Sequence, residues 1–298
     1  MGIKASRYII LAYLLLLPSV VNAEKVLGIG KVTVTERQKS YAELKPMVDY
    51  IAGQLSEYGI EKGEVYFANN NQEMTYALLT GKVDWVTDSI FSALIISDKS
   101  DAKIELKRVK AEGSDYRSLI LVKNESEITG ITDLIGKTIA FEDVGSSSAY
   151  YMPYIELVKY GITPEIKNSN GSLNSVNGVK YIFSGSEFGL MSDLMSDKVD
   201  AIAYSDQDYE DLLPNIKNRV KIIHGSVSYP KGLELFSSNI DKKIQFKIID
   251  ILMNMHEDPE GISVLNKYFN TEKFEIFNEN ESIKNAKKII KSGLVPLR

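Results

Sequence analysis

"LLTGKVDWVTDS", residues 78–89, closes a helical pattern and opens an apolar strand at Lys82-Val83-Asp84, and "LMSDKVDAIAYSD", residues 194–206, does the same at Lys198-Val199-Asp200. Lys-Val-Asp alone is a weak signature, since Lys and Asp are common turn residues. Its placement carries more. One copy falls in each half of the chain, and each strand delivers polar residues at its carboxyl end: Thr87, Asp88 and Ser89 in the first, Tyr204, Ser205 and Asp206 in the second.

Around these two units the patterns alternate. "VLGIGKVTV" (26–34) reads as a buried strand. Leu44, Met47, Val48, Ile51 and Leu55 then recur at helical spacing, so 41–57 reads as an amphipathic helix with Pro46 in its early turns. "GEVYFAN" (63–69) follows as a strand, then a helix over 71–80 and a strand over 82–89. Strands alternating with helices imply parallel pairing and an α/β class. Two β-rich segments, "YRSLILVK" (116–123) and "RVKIIHGS" (219–226), are read as carrying the chain out and back. That divides it into a first lobe at 24–113 plus 227–298 and a second at 114–226. The returning part reads as helical, with 242–255 and 281–293 the clearest segments. The Asn-, Ser- and Gly-rich loop at 167–178 reads as an exposed connection. Ligands of open α/β sheets bind outside the carboxyl ends of the strands, so two facing sheets make a cleft.

Composition narrows the class. The 298 residues are 44% hydrophobic and 25% charged, with a formal net charge of −5, which suits a globular protein and disfavours a nucleic-acid partner. Lys4 and Arg7, the apolar run Ile9 to Leu17 and then Val21-Asn22-Ala23 read as a secretory signal peptide over 1–23; the run is too short to span a bilayer. There is no cysteine, hence no disulfide, no thiolate metal site and no lipid-modified Cys. A soluble, unanchored exported chain points to the periplasm.

"FEDVGSSSAYYMP" (141–153) places Ser146, Ser147 and Ser148 at a strand-to-helix turn. One serine suffices to cap a helix starting near Ala149; three, with their backbone amides, also suit an oxyanion cradle, because a helix N-terminus presents unpaired N–H groups and partial positive charge. Tyr150 and Tyr116 either add donors or pack in the core. Tyr41 is a candidate wall, Arg117 a candidate neighbour of the cleft, and Glu187 either a helix cap or a partner for an amino group. Catalytic chemistry is poorly represented. Only His224 and His256 are present, and no G-x-S-x-G elbow occurs. "GIGK" (28–31) lacks P-loop spacing. "SDQDYEDLL" (205–213) lacks the glycine and distal Glu of a calcium loop and reads as a solvated helix start. Neither a metal nor a cofactor is expected.

The motif F-x-D-P-x-S-T-S-G-Y-x-x-P resembles this stretch at Phe141, Asp143, Ser146, Ser147, Ser148, Tyr150 and Pro153, with Val144 and Ala149 departing from it. On these residues the chain resembles the substrate-binding subunits of ABC importers for phosphate, phosphite and phosphonate. The resemblance implies a two-lobed type II periplasmic-binding fold of mostly parallel sheets, closing by hinge motion on a small oxyanion, with an inner-membrane permease as partner. It also implies that the three serines bind oxygen. A family tyrosine aligns with Asp88, which is then either a turn residue or an acceptor for a protonated oxyanion or cationic tail. Hydrogen bonds to a charged oxygen contribute roughly 1.5–3 kcal/mol each and micromolar binding needs about 8 kcal/mol, so several such donors suffice without arginine. The chain is expected to act as a monomer, and two other readings share this cleft: a ligand-binding partner of a sensor kinase or chemoreceptor, and a secreted phosphoester hydrolase.

Overall fold

The computed structural model describes residues 25–34, 36–110, 113, 115–166, 173–293 and 295. The leader read at 1–23 and the first half of the 167–178 loop lie outside them. In chain order the strands are β1 (Lys25–Val32), β2 (Ile60–Ala68), β3 (Trp85–Asp88), β4 (Lys103–Val109), β5 (Asp115–Tyr116), β6 (Ser118–Lys123), β7 (Thr138–Phe141), β8 (Thr163–Ile166), β9 (Gly178–Phe183), β10 (Ala201–Ser205), β11 (Val220–Gly225), β12 (Tyr229–Pro230), β13 (Leu233–Phe236) and β14 (Lys273–Ile276).

They form two six-stranded sheets, β14-β4-β13-β3-β1-β2 and β11-β6-β10-β7-β9-β8, and a two-stranded ladder of β12 with β5. Parallel pairing holds for β2 with β1, β1 with β3, β10 with β7, β7 with β9 and β8 with β9. Antiparallel strands complete both sheets: β13 beside β3, and β6 beside β10. Both sheets thus add antiparallel pairing to a parallel set, because β13 and β6 return beside β3 and β10 without a crossover helix. The segments 116–123 and 219–226, read as the connections, lie chiefly in the second sheet as β6 and β11, paired antiparallel to one another. The passage between sheets is made instead by β5 and β12, where Tyr229 pairs with Tyr116.

The Lys-Val-Asp repeat performs one job twice. Asp84 exchanges bonds with the middle of β1: its carboxylate accepts from the Gly28 N–H at 2.9 Å and its own N–H donates to the Gly28 carbonyl at 3.0 Å. Asp200 does the same with Thr138 at the start of β7, at 2.8 and 2.9 Å. Val83 and Val199 are buried between helix and sheet. The first of these joints is tight: a Cβ on Gly28 would meet the Lys82 carbonyl at 2.9 Å. Asp84→Ala is expected to lower stability by about 1–3 kcal/mol and Asp200→Ala, whose bond is exposed, by about 0.5–1.5 kcal/mol, measured by urea unfolding; no loss in either would show that the bracket is ornamental to the fold.

Helices cover both faces of each sheet. Below the first, Arg37–Gly53, Lys242–Asn254 and Pro259–Lys267 bury Leu44, Met47, Ile51, Ile248, Leu252 and Leu265 around Trp85 and Phe236. The other core begins under Asn71–Leu79 and Ile90–Ser100 and continues through Phe91, Tyr151 and Tyr229 into the second sheet. Apolar packing is thus continuous where the lobes meet.

Candidate functional site

The carboxyl ends of β1, β2 and β3 face those of β7 and β10, and a helix starts after most of them. Asn70 caps Asn71–Leu79 by accepting from the Glu73 N–H; Ser186 caps Glu187–Met195 and Ser205 caps Asp206–Glu210 in the same way. After β7 the chain makes a π-turn, Ser147–Tyr151, running into the helix Met152–Lys159. Ser146 caps the turn, its Oγ accepting from the Ala149 N–H at 3.1 Å, and the wide turn closes with the Tyr151 N–H donating to the Ser146 carbonyl at 3.1 Å. A turn wider than an α-turn suits a functional bend.

Ser147 links the lobes. Its hydroxyl donates to Ser89 Oγ at 2.9 Å and accepts from the Phe91 N–H at 3.1 Å, on the first turn of Ile90–Ser100. Ser89 and Ser92 approach the Gly145 carbonyl at 3.4 and 3.3 Å. Tyr116 hydrogen-bonds Ser147 from the connecting ladder, and burial drives its phenol far above the ordinary value. Phe91 stacks on Tyr151 with ring centroids 5.6 Å apart. Two helix starts therefore meet head to head, with first-turn N–H groups that no helical carbonyl reaches.

The other sequence candidates divide. Asp88 is buried, and both its oxygens hold backbone: Oδ2 accepts from the Val32 N–H at 2.9 Å and Oδ1 from the Ser89 N–H at 2.8 Å. Burial raises its pKa, opposed by Lys31, those two N–H bonds and Arg108. It braces the β1 and β3 ends. Thr87 points away from the cleft and donates to Glu234 at 2.9 Å. Tyr150 is 0% exposed and lies among Phe141, Tyr154, Tyr181 and Phe183. Ser148 is buried in the turn, and Tyr41 stands 48% exposed on Arg37–Gly53. Arg117 lies beside Asp206 at 3.6 Å, its side chain exposed.

Glu187 has company that the sequence reading missed. It hydrogen-bonds Asp208; burial and then the Asp208 charge push its carboxyl up to about 7, while Lys39 across the cleft pulls it down. Glu142 is also pushed up to about 7 by burial, by Asp143 and by the charges of Glu187 and Asp208, and it hydrogen-bonds Ser146. Tyr204, at the end of β10, is raised by burial and by Glu187, Asp208 and Glu142. The signal existed: Glu142 lies inside the quoted motif, and Asp208 follows its cap by three residues. "SDQDYEDLL" is a helix start, as read, but its second acidic residue, Asp208, turns toward Glu187. Among the described residues no group of three or more His, Asp or Glu could hold a metal ion, and no helix is long and apolar enough to cross a membrane.

This arrangement has relatives. The "Phosphonates-binding periplasmic protein" of Escherichia coli is 23% identical over 252 residues, covering 82% of this chain and 70% of that protein. XAC2383 from Xanthomonas citri, solved bound to ATP, superposes with a TM-score of 0.81 at 24% identity, covering 90% of this chain and 96% of that one. PhnD1 from Prochlorococcus marinus, solved in complex with methylphosphonate, gives 0.70 at 15% identity, covering 91% and 98%. These likenesses establish the type II periplasmic-binding fold. The family described as "ABC transporter, phosphonate, periplasmic substrate-binding protein" matches residues 29–281, and the chain belongs to that family.

Proposed function

We propose that the protein binds a phosphonate bearing a basic amine, closes its lobes on it about the β5–β12 ladder, and presents it to an ABC permease. The observation that carries this is the seat of Glu142, Glu187 and Asp208 beside the Ser146–Ser148 turn. Carboxyls gathered at one half-buried spot, with Glu187 at its exposed rim, hold onto protons, as Glu142 and Glu187 do near pH 7. An ammonium group relieves that crowding; a bare oxyanion worsens it. The oxyanion end is then received by the facing helix starts and by Ser146, Ser147 and Ser89, where fixed N–H dipoles favour negative charge.

Calorimetry with 2-aminoethylphosphonate and ethylphosphonate tests the reading. The amine is expected to bind at least ~tenfold tighter, one charge-assisted contact being enough for that ratio. The sign with pH follows from the raised carboxyls. Below about 7 Glu142 and Glu187 are protonated and offer the ammonium no charge; above it they ionise. The amine's advantage over ethylphosphonate should therefore grow from about pH 6 to about pH 8, with proton release on binding. Equal affinities at all pH values would remove the amine from the account, and binding of neither compound would remove phosphonates.

A further inference from the structure

Asn71 is 3% exposed and occupies the first turn of Asn71–Leu79, just past the carboxyl end of β2. Capping is not its task, since Asn70 already accepts from the Glu73 N–H at 2.9 Å. Its side chain reaches across the lobes: Nδ2 donates to the Tyr151 hydroxyl at 3.0 Å. Its Oδ1 is buried without a hydrogen-bond partner. An unpaired buried carbonyl is costly to keep, so native structures rarely leave one without use.

The surroundings say what would use it. Tyr151 belongs to the π-turn, and its phenol is raised by burial and by the charges of Asp88 and Asp143. Those two carboxylates act on the spot from the ends of β3 and β7, with Lys31 and Arg108 opposing the burial of Asp88. Asp88 cannot itself take a ligand proton readily, because both its oxygens already hold N–H groups. A fully ionised oxygen placed against Asn71 Oδ1 would set lone pair against lone pair, whereas an oxygen carrying hydrogen would donate to it.

Resting on the phosphonate reading above, we propose that Asn71 Oδ1, held in place by Tyr151, accepts a hydrogen bond from the protonated oxygen of a phosphonate monoanion. The residue thereby discriminates against sulfonates of the same shape. A sulfonate has no acidic hydrogen to give at neutral pH, so it leaves the carbonyl unpaired and sets an oxygen against it. Discrimination by an unmatched polar group is a strong form of specificity.

The matched probes are 2-aminoethylphosphonate and 2-aminoethanesulfonate, titrated calorimetrically into the native protein, Asn71→Ala and Asn71→Leu. Leu keeps the volume if Ala opens a cavity, and each variant's unfolding midpoint without ligand verifies its fold. The native protein should prefer the phosphonate, and both variants should shrink that preference by about tenfold, losing phosphonate affinity while sulfonate affinity holds or rises. An unchanged ratio overturns the proposal. So does an equal loss for both probes, which is what an amide turned end for end, with its NH2 toward the ligand, would produce. If the native protein binds no phosphonate, this proposal falls together with the functional reading; native binding with an unmoved ratio sinks the Asn71 role alone.

Discussion

Glu234→Ala is expected to destabilise the protein by about 3–5 kcal/mol, the range found when one partner of a buried charge pair is removed. Glu234 is fully buried on β13 and accepts from Trp85 Nε1 at 2.7 Å, Thr87 Oγ1 at 2.9 Å and the Tyr268 hydroxyl at 3.0 Å, with Arg108 Nε at 3.3 Å. Burial lifts its carboxyl to about 7 despite the Arg108 charge and the three donors. Truncation would leave three donors unpaired and a guanidinium facing the rings of Phe269 and Tyr268, at 4.3 and 5.5 Å. Glu234→Gln keeps an acceptor and should lose less. Urea unfolding of both variants provides the check, and a loss under about 1 kcal/mol for Ala would mean that the cluster relaxes around the gap. Since whole domains are stable by only about 5–15 kcal/mol, the expected loss is large.

Phe91→Ala should cost about 3–5 kcal/mol, the usual range for emptying an aromatic core site. Phe91 is 0% exposed although it sits at the meeting of two lobes; it stacks on Tyr151 and meets Tyr229 edge-on at 5.3 Å. Removing it takes away a ring that packs against the second lobe and the connecting ladder at once. Phe91→Leu, closer in volume, should cost about 1.5 kcal/mol or less. Thermal unfolding separates the two variants. If both unfold at the native midpoint, the apolar continuity between the lobes contributes nothing, and the polar links of Ser147, Asn71 and Gly145 would have to hold them.

Much of this architecture was readable from periodicity. The helix read over 71–80 is Asn71–Leu79, the strand read over 26–34 is β1, and the Lys-Val-Asp pair marks equivalent joints in both sheets. Helical spacing and apolar runs are local, so they survive without knowledge of the fold. What failed was non-local. Nothing near Thr87 announces that it bonds a glutamate 147 positions away. Asp88 looked like a ligand group because polar residues at strand ends often are, but its neighbours in space are backbone N–H groups of β1 and of its own turn. Ser147 was nominated and does stand at the interface. Asn71 was passed over inside "NNNQ", where three identical side chains gave no sign that the first of them past the cap would be drawn into the other lobe.

The strand order has a temporal consequence. The second sheet is drawn from one uninterrupted stretch, β6 to β11, whereas β3 in the first sheet waits for β13 to cover its flank. As the chain emerges vectorially from amino to carboxyl end, the segment made in the middle can therefore finish before the one made first. Until residues near 233 arrive, β1, β2 and β3 present an uncovered apolar border, the kind of surface on which nascent chains aggregate or recruit a holding chaperone.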